Sequence, residues 1–181
     1  LDPAQDFWDL LAALDAALAP EWAGRLRLRL SSLEPGQLGE KALQTLAGCR
    51  LVAPHLHLSL QSGSVSVLRR MGRGHYDPNT VPAFMQALTR ISPLWGLGAD
   101  ILTGFPGETP AEHAETLALC RVLPLTYAHV FPFSSRPGTR AASMPFTVPA
   151  DEKKAIAAEL RALAQEKGDR FLHALLAIEQ V

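Results

Sequence analysis

The chain has 181 residues, 48% hydrophobic and 19% charged, with a formal net charge of −1. That is enough apolar sequence for one compact core, and it excludes a disordered segment and a chain that coats nucleic acid by bulk positive charge. Two cysteines, Cys49 and Cys120, exclude a disulfide framework and an all-cysteine metal site on this chain alone, and no apolar run reaches the roughly 18 to 20 residues of a membrane helix.

Taken in chain order, Asp6 to Leu18 places Phe7, Leu10, Leu11, Leu14 and Leu18 at helical spacing and predicts an amphipathic helix ended by Pro20. Arg25 to Leu30 alternates Arg and Leu, a period of two that predicts a strand. Leu38 to Ala47 predicts a short helix, and His55-Leu56-His57-Leu58-Ser59-Leu60 alternates again as a second strand. Ser64 to Met71 and Thr80 to Ile91 predict helices on either side of the breaker Gly72-Arg73-Gly74. Gly98 to Thr103 is a third strand, closed by Gly104. Thr109 to Leu123 is a helix, with Thr109 as its cap and Pro110 suited to its first position. Tyr127 to Phe133 is a fourth strand, and a loop rich in Ser, Pro and Gly runs from Ser134 to Pro149. A long helix follows from Asp151 to about Leu176, with Gly168 as a candidate break, and the alternation Ile178-Glu179-Gln180-Val181 reads as the start of a further strand. The opening Leu1-Asp2-Pro3, without a Met, suggests a piece of a longer protein.

Strands separated by helices imply an α/β fold with parallel strands and right-handed crossovers. An open doubly wound sheet would need strands apolar on both faces. Here Leu26, Leu28 and Leu30 oppose Arg25, Arg27, Arg29 and Ser31, and Leu56, Leu58 and Leu60 oppose His55, His57, Ser59 and Gln61. A partial parallel (β/α), TIM-like barrel of four strands with a C-terminal helix accounts for both patterns: leucines pack outward under helices, and polar groups line a lumen. Edge strands with a solvated face are the alternative.

Each strand ends in small or polar residues: Ser31-Ser32-Leu33-Glu34-Pro35, Gln61-Ser62-Gly63-Ser64, Gly104-Phe105-Pro106-Gly107-Glu108 and Phe133-Ser134-Ser135-Arg136-Pro137-Gly138-Thr139. Ligand sites of α/β folds lie at the carboxyl ends of the strands, so four such clusters on one rim point to a binding site. Thirteen arginines stand against four lysines, which favours planar recognition of carboxylate or phosphate.

These motifs, with His55 to Ser64, Val67-Leu68-Arg69-Arg70-Met71, Asp100 to Thr109 and His129 to Thr139, resemble those of the radical S-adenosylmethionine methylthiotransferases. The resemblance runs from about Arg25 to Pro149. Ser-Ser-Leu-Glu-Pro and His-Leu-His-Leu-Ser-Leu-Gln look most like the branch acting on threonylcarbamoyl-adenosine beside the tRNA anticodon. It implies S-adenosylmethionine as cofactor, tRNA as partner, and 4Fe-4S clusters in the parent protein; the thiol-poor composition reads as cytoplasmic. The family's barrel cluster is held by a Cys-x3-Cys-x2-Cys loop, which this chain lacks. The resemblance therefore places residues 1–149 in the last part of the barrel, without its first strands and cluster loop. It places residues 150–181 in a helical linker towards an RNA-binding, TRAM-like domain.

The resemblance also implies roles at the rim and in the lumen. Ser31, Glu34, His57, Ser59, Gln61 and Asp100 would bind the cofactor's ribose and amine, and Val130, Phe131 and Pro132 would flank its adenine. Arg136 would meet a carboxylate or a tRNA phosphate. No catalytic residue is singled out, and no metal ligand is expected on this chain. The plainer readings stay open: His55 and His57 as buried polar fillers, Asp100 as a capping or turn carboxylate, Glu108 as a helix cap, Cys49 and Cys120 as core thiols. So do other functions: methylthiolation of isopentenyl-adenosine or of a ribosomal protein, another radical enzyme of the coproporphyrinogen oxidase kind, or a non-catalytic scaffold. The chain alone is expected to hold no cluster, to bind S-adenosylmethionine weakly, and to self-associate through the unpaired edge of the strand Arg25 to Leu30.

Overall fold

The computed structural model describes residues 5–92 and 94–178. Four strands, β1 (Leu28–Leu33), β2 (Val52–Gln61), β3 (Gly96–Thr103) and β4 (Tyr127–Pro132), form one all-parallel sheet in the order β1-β2-β3-β4. Helices α1 (Phe7–Trp22), α2 (Glu40–Gly48), α3 (Val65–Arg70), α4 (Val81–Leu88), α5 (Pro110–Val122) and α6 (Ala150–Ile178) alternate with the strands along the chain. Sequential order with parallel strands means that every crossover steps the same way. Right-handed crossovers then put the helices that follow the strands on one face of the sheet. That face carries the core: Leu30, Leu56, Leu58 and Leu60, Leu97, Ala99 and Ile101, and Val130 are buried under the helices. This is the partial-barrel pattern the leucine alternation predicts, with the polar face of the same strands turned the other way.

Several boundaries differ from the sequence reading. α1 runs through Pro20 to Trp22, although Pro20 has no amide to give the carbonyl of Ala16. The buried stripe of α1 is Trp8, Leu11, Asp15 and Ala19, whereas Phe7, Leu10 and Leu14 of the predicted apolar face are exposed. Asp15 is drawn inward because its Oδ1 accepts the backbone N–H of Arg50 at 2.9 Å and of Leu51 at 2.8 Å. β1 starts at Leu28, not Arg25: the amides of Arg25 and Leu26 both bond Trp22 O at 2.9 Å, and Leu28 N bonds Leu51 O, just before β2, at 2.7 Å. β2 begins earlier than predicted, and the register slip that takes Leu28↔Val52 to Leu30↔Leu56 accommodates Pro54, which has no amide to give the ladder. The helix predicted over Thr80 to Ile91 is shorter, Val81–Leu88, preceded by a 3₁₀ turn at Pro78–Thr80. Gly168 does not break α6; a Cβ there would lie 2.6 Å from Thr126 O, so the glycine lets α6 lie against the start of β4. Of the strand expected from Ile178, Ile178 belongs to α6, and 179–181 lie outside the described residues.

Candidate functional site

The polar face of the sheet carries a hydrogen-bonded row that crosses all four strands. Arg29 Nη2 on β1 lies 3.1 Å from His55 Nε2 on β2. Tyr127 Oη, from β4, lies 3.2 Å from that same nitrogen and 2.8 Å from His57 Nδ1. On the other side of the ring, His57 Nε2 lies 3.1 Å from Asp100 Oδ1 on β3, which also takes a contact of 3.2 Å from His129 Nδ1 on β4.

Backbone register explains how β4 reaches β2. His57 pairs with Gly98 and Gly98 with Tyr127, so the three form one rung of the sheet. A Cβ on Gly98 would sit 2.2 Å from the Tyr127 ring, so the missing side chain is the gap through which Tyr127 crosses β3. One rung higher, Asp100 pairs directly with His129. Burial is deepest at His57, and the face opens towards His129, whose side chain is 57% exposed. Burial and the nearby Arg29 charge push the His55 imidazole below its usual range, which keeps it neutral.

Of the residues singled out in the sequence, the structure brings His57 and Asp100 into this row and puts Ser59, half-buried, next to His57 along the same face of β2. Gln61 closes β2 in the left-handed region at φ 61°, an uncommon conformation for a residue with a side chain. Phe131, Pro132 and Arg136 line a cleft of about 510 Å³ at the carboxyl end of β4, with Leu102 and Phe133 beside them. Val130 sits apart from them: its side chain is buried in the helix-facing core, because it has the opposite parity to His129 and Phe131. Ser31 is exposed on β1, with Ser32 Oγ 3.4 Å from its own. Asp100 is mid-strand, not at a cap or turn.

Other rim residues are engaged in holding the loops. Glu34 Oε1 and Oε2 each lie 2.7 Å from a partner, Arg73 Nη1 and His75 Nε2, and these contacts, His75 first, hold the carboxyl below the usual carboxylate range. Ser62, Gly63 and Ser64 dock the end of β2 onto α5: Thr116 Oγ1 lies 3.1 Å from Ser62 Oγ and accepts Gly63 N–H at 3.0 Å, and a Cβ on Gly63 would meet Thr116 Cα at 2.7 Å. Arg70 grips Glu112 at the start of α5 with two bonds of 2.8 and 2.7 Å, which bring the Glu112 carboxyl down to about 2. Glu108 Oε2 accepts Phe105 N–H at 3.1 Å and, more closely, Gly104 N–H; its burial raises the carboxyl nonetheless. The cap of α5 is Thr109, as its sequence predicts.

Tyr127, His129 and Gly98 are the site residues that sequence reasoning passed over. The signal was present: Tyr127, His129 and Phe131 alternate along β4 with the parity of Asp100 along β3.

No family model matches the chain. Among curated proteins, it is 41% identical over 152 residues to the threonylcarbamoyladenosine tRNA methylthiotransferase MtaB of Treponema pallidum, covering 83% of this chain and 30% of that protein. It is 40% identical over 135 residues to the MtaB of Rickettsia prowazekii, covering 75% and 32%. It is also 38% identical over 150 residues to the tRNA-2-methylthio-N(6)-dimethylallyladenosine synthase of Chlorobium limicola, covering 82% and 33%. The chain belongs to the methylthiotransferase family. It spans about a third of the length of the curated relatives it matches.

The groups this family implies can be tested against the methylthiotransferase chain itself. The donor set does not fit an iron–sulfur cluster, which needs several thiolates at one site. Cys120 is buried on α5, where desolvation pushes its thiol up to about 12, and burial likewise raises the Cys49 thiol after α2. The polar face does fit part of a zwitterionic nucleoside cofactor. The cleft at the end of β4 offers the half-exposed ring of Phe131 to a flat base and the Arg136 guanidinium to a carboxylate.

Proposed function

We propose that the protein carrying this chain is a radical S-adenosylmethionine enzyme that adds a methylthio group to threonylcarbamoyl-adenosine beside the anticodon of tRNA. In this reading, residues 1–149 form the later part of the barrel wall and 150–181 lead to an RNA-binding domain. The observation that carries it is the one-sided sheet, whose polar face bears a row centred on buried His57, with the Phe131 and Arg136 cleft at the carboxyl end of β4. Identity to proteins named MtaB supports the same reading.

S-adenosylmethionine would supply radical chemistry, and 4Fe-4S clusters held by cysteines outside this chain would supply electrons. This chain's residues would orient the cofactor and exclude water. Ser59 and Gln61 on β2 would meet ribose or amine groups, Phe131 and Pro132 would flank the base, and Arg136 would hold a carboxylate. Glu34, Arg73 and His75 would fix the loop above β1. Among the described residues, no helix is long and apolar enough to cross a membrane, in keeping with an enzyme that meets tRNA in the cytoplasm.

Expression of the full-length protein in a host lacking its own tRNA methylthiolation, followed by mass spectrometry of digested tRNA, tests this. The expected product is the methylthio derivative of threonylcarbamoyl-adenosine. Accumulation of the methylthio derivative of isopentenyl-adenosine instead would move the protein to the other tRNA branch, and no methylthio nucleoside would overturn the reading.

A further inference from the structure

Arg carries donors only, so Arg29 Nη2, 3.1 Å from His55 Nε2, makes that nitrogen an acceptor. Tyr127 Oη lies 3.2 Å from the same nitrogen and 2.8 Å from His57 Nδ1, and its single proton serves one of the two. When it goes to His57 Nδ1, the neutral ring keeps its own proton on Nε2 and donates it to Asp100 Oδ1 at 3.1 Å. When it goes to His55 Nε2, His57 Nδ1 donates to the tyrosine oxygen and the Nε2 lone pair faces the carboxylate, an arrangement that a cation between the two acceptors satisfies. His129 Nδ1 stands 3.2 Å from the same carboxylate oxygen, and the three atoms all lie within 4.8 Å of one another.

We propose that His57 Nε2, Asp100 Oδ1 and His129 Nδ1 form a binding site for a single divalent cation of the Zn²⁺ class on the open face of the sheet. Two imidazoles and one carboxylate are a donor set that such cations favour, and it leaves a coordination position for water or a ligand. The separations of 3.1 and 3.2 Å are close to the roughly 3.3 Å edge of a tetrahedron with metal–ligand bonds of about 2.0–2.1 Å. The ligands come from three adjacent strands, with Asp100 and His129 in direct register. Tyr127 provides the outer support that fixes a liganding imidazole: its oxygen, 2.8 Å from His57 Nδ1, is placed to accept that nitrogen's proton when Nε2 holds the ion. The exposed His129 side chain forms the open wall through which the ion would enter. The inference does not depend on the methylthiotransferase activity and involves no cysteine.

The test is titration of the chelator-treated 181-residue chain with Zn²⁺ by calorimetry, and with Co²⁺ by absorption. Binding of one ion per chain is expected, with visible Co²⁺ bands of a nitrogen- and oxygen-liganded ion. His129→Ala and Asp100→Asn should each weaken it at least about tenfold, and Tyr127→Phe should weaken it by about 10-fold as an outer-shell loss. His173→Ala, at an exposed histidine on α6, should leave it unchanged. Because His129 is exposed, His129→Gln serves as a second variant that retains the fold, checked by its melting curve. Binding indifferent to both His129 substitutions overturns the proposal. So does an absence of binding; ¹⁵N shifts then tell whether a proton on His57 Nε2 occupies the place assigned to the metal.

Discussion

A methyl group added at Gly98 has nowhere to go. Its carbon would lie 2.2 Å from the Tyr127 ring on one side and 2.7 Å from His57 Nδ1 on the other. Gly98→Ala is therefore expected to push Tyr127 off the rung, and overpacking of this kind costs about 1–3 kcal/mol. Urea denaturation measures the loss, and Gly98→Ala combined with Tyr127→Ala should recover part of it, since the two sites are in contact. A Gly98→Ala protein with unchanged stability would mean that Tyr127 does not cross β3. At this scale the sequence was legible where parity could be counted: His57, Ser59 and Asp100 fall on the open face because leucines, or Ala99 and Ile101, fall on the other. Val130 belongs to the motif that the resemblance ties to the adenine, but parity places its side chain in the core. Glu34 was legible as a rim carboxylate, but its partners were not, because Arg73 and His75 reach it only after the loop between α3 and α4 has closed over β1.

The two edges of the sheet are treated differently by the elements beside them. α6 lies along β4, where Arg161 Nη2 donates to Val130 O at 2.6 Å and Lys153 Nζ to Phe133 O at 3.2 Å. β1, at the other edge, pairs only with β2 among the described residues. An uncovered strand edge is a template for another chain. Because β1 starts at Leu28, Arg25 and Arg27 fall outside it, and Arg29 is occupied by His55, so the like charges that would oppose pairing are fewer than the alternating sequence implied. Nearby α1 adds exposed Phe7, Leu10 and Leu14. The chain is expected to self-associate with rising concentration in sedimentation velocity. Leu28 N–H is spent on Leu51 O, so by strand alternation Arg29 N–H points to the free edge, and Arg29→Pro should abolish association while sparing the β1–β2 ladder. A monomer at all concentrations would show that this edge does not recruit a partner. The element types were readable from periodicity. Their ends were not, since Pro20 and Gly168 are breakers only where tertiary packing does not override them, and Gly168 is in the helix because Thr126 O leaves no room for a side chain.

On the scale of the whole molecule, the sheet is a wall with one finished face. Its helix side is closed by a leucine core, and its polar side carries charge and hydrogen bonds but no thiol. Fold class followed from the sequence because two strands in succession alternated leucine with polar residues, which a sheet covered on both faces does not tolerate. The order of the strands needed coordinates, because spacing alone suits an open sheet as well as a barrel. The cysteines decide what this wall can do unaided. A cluster-bound iron requires thiolates, and a thiol pushed up to about 12, as at Cys120, stays protonated at neutral pH. Cys49 is raised in the same direction by burial and by the carboxylate of Asp15. Anaerobic reconstitution of the 181-residue chain with iron and sulfide is therefore expected to leave less than stoichiometric iron and none of the broad visible absorption of a 4Fe-4S centre. Calorimetry on the same sample should show S-adenosylmethionine binding weaker than micromolar, since the contacts proposed for it, the Phe131 and Arg136 cleft and the β2 polar groups, would act without a cluster to anchor it. A stoichiometric cluster on this chain would require Cys49 and Cys120 to leave their present environments, and the proposal that the wall is the cluster-free part of a larger enzyme would fall with it.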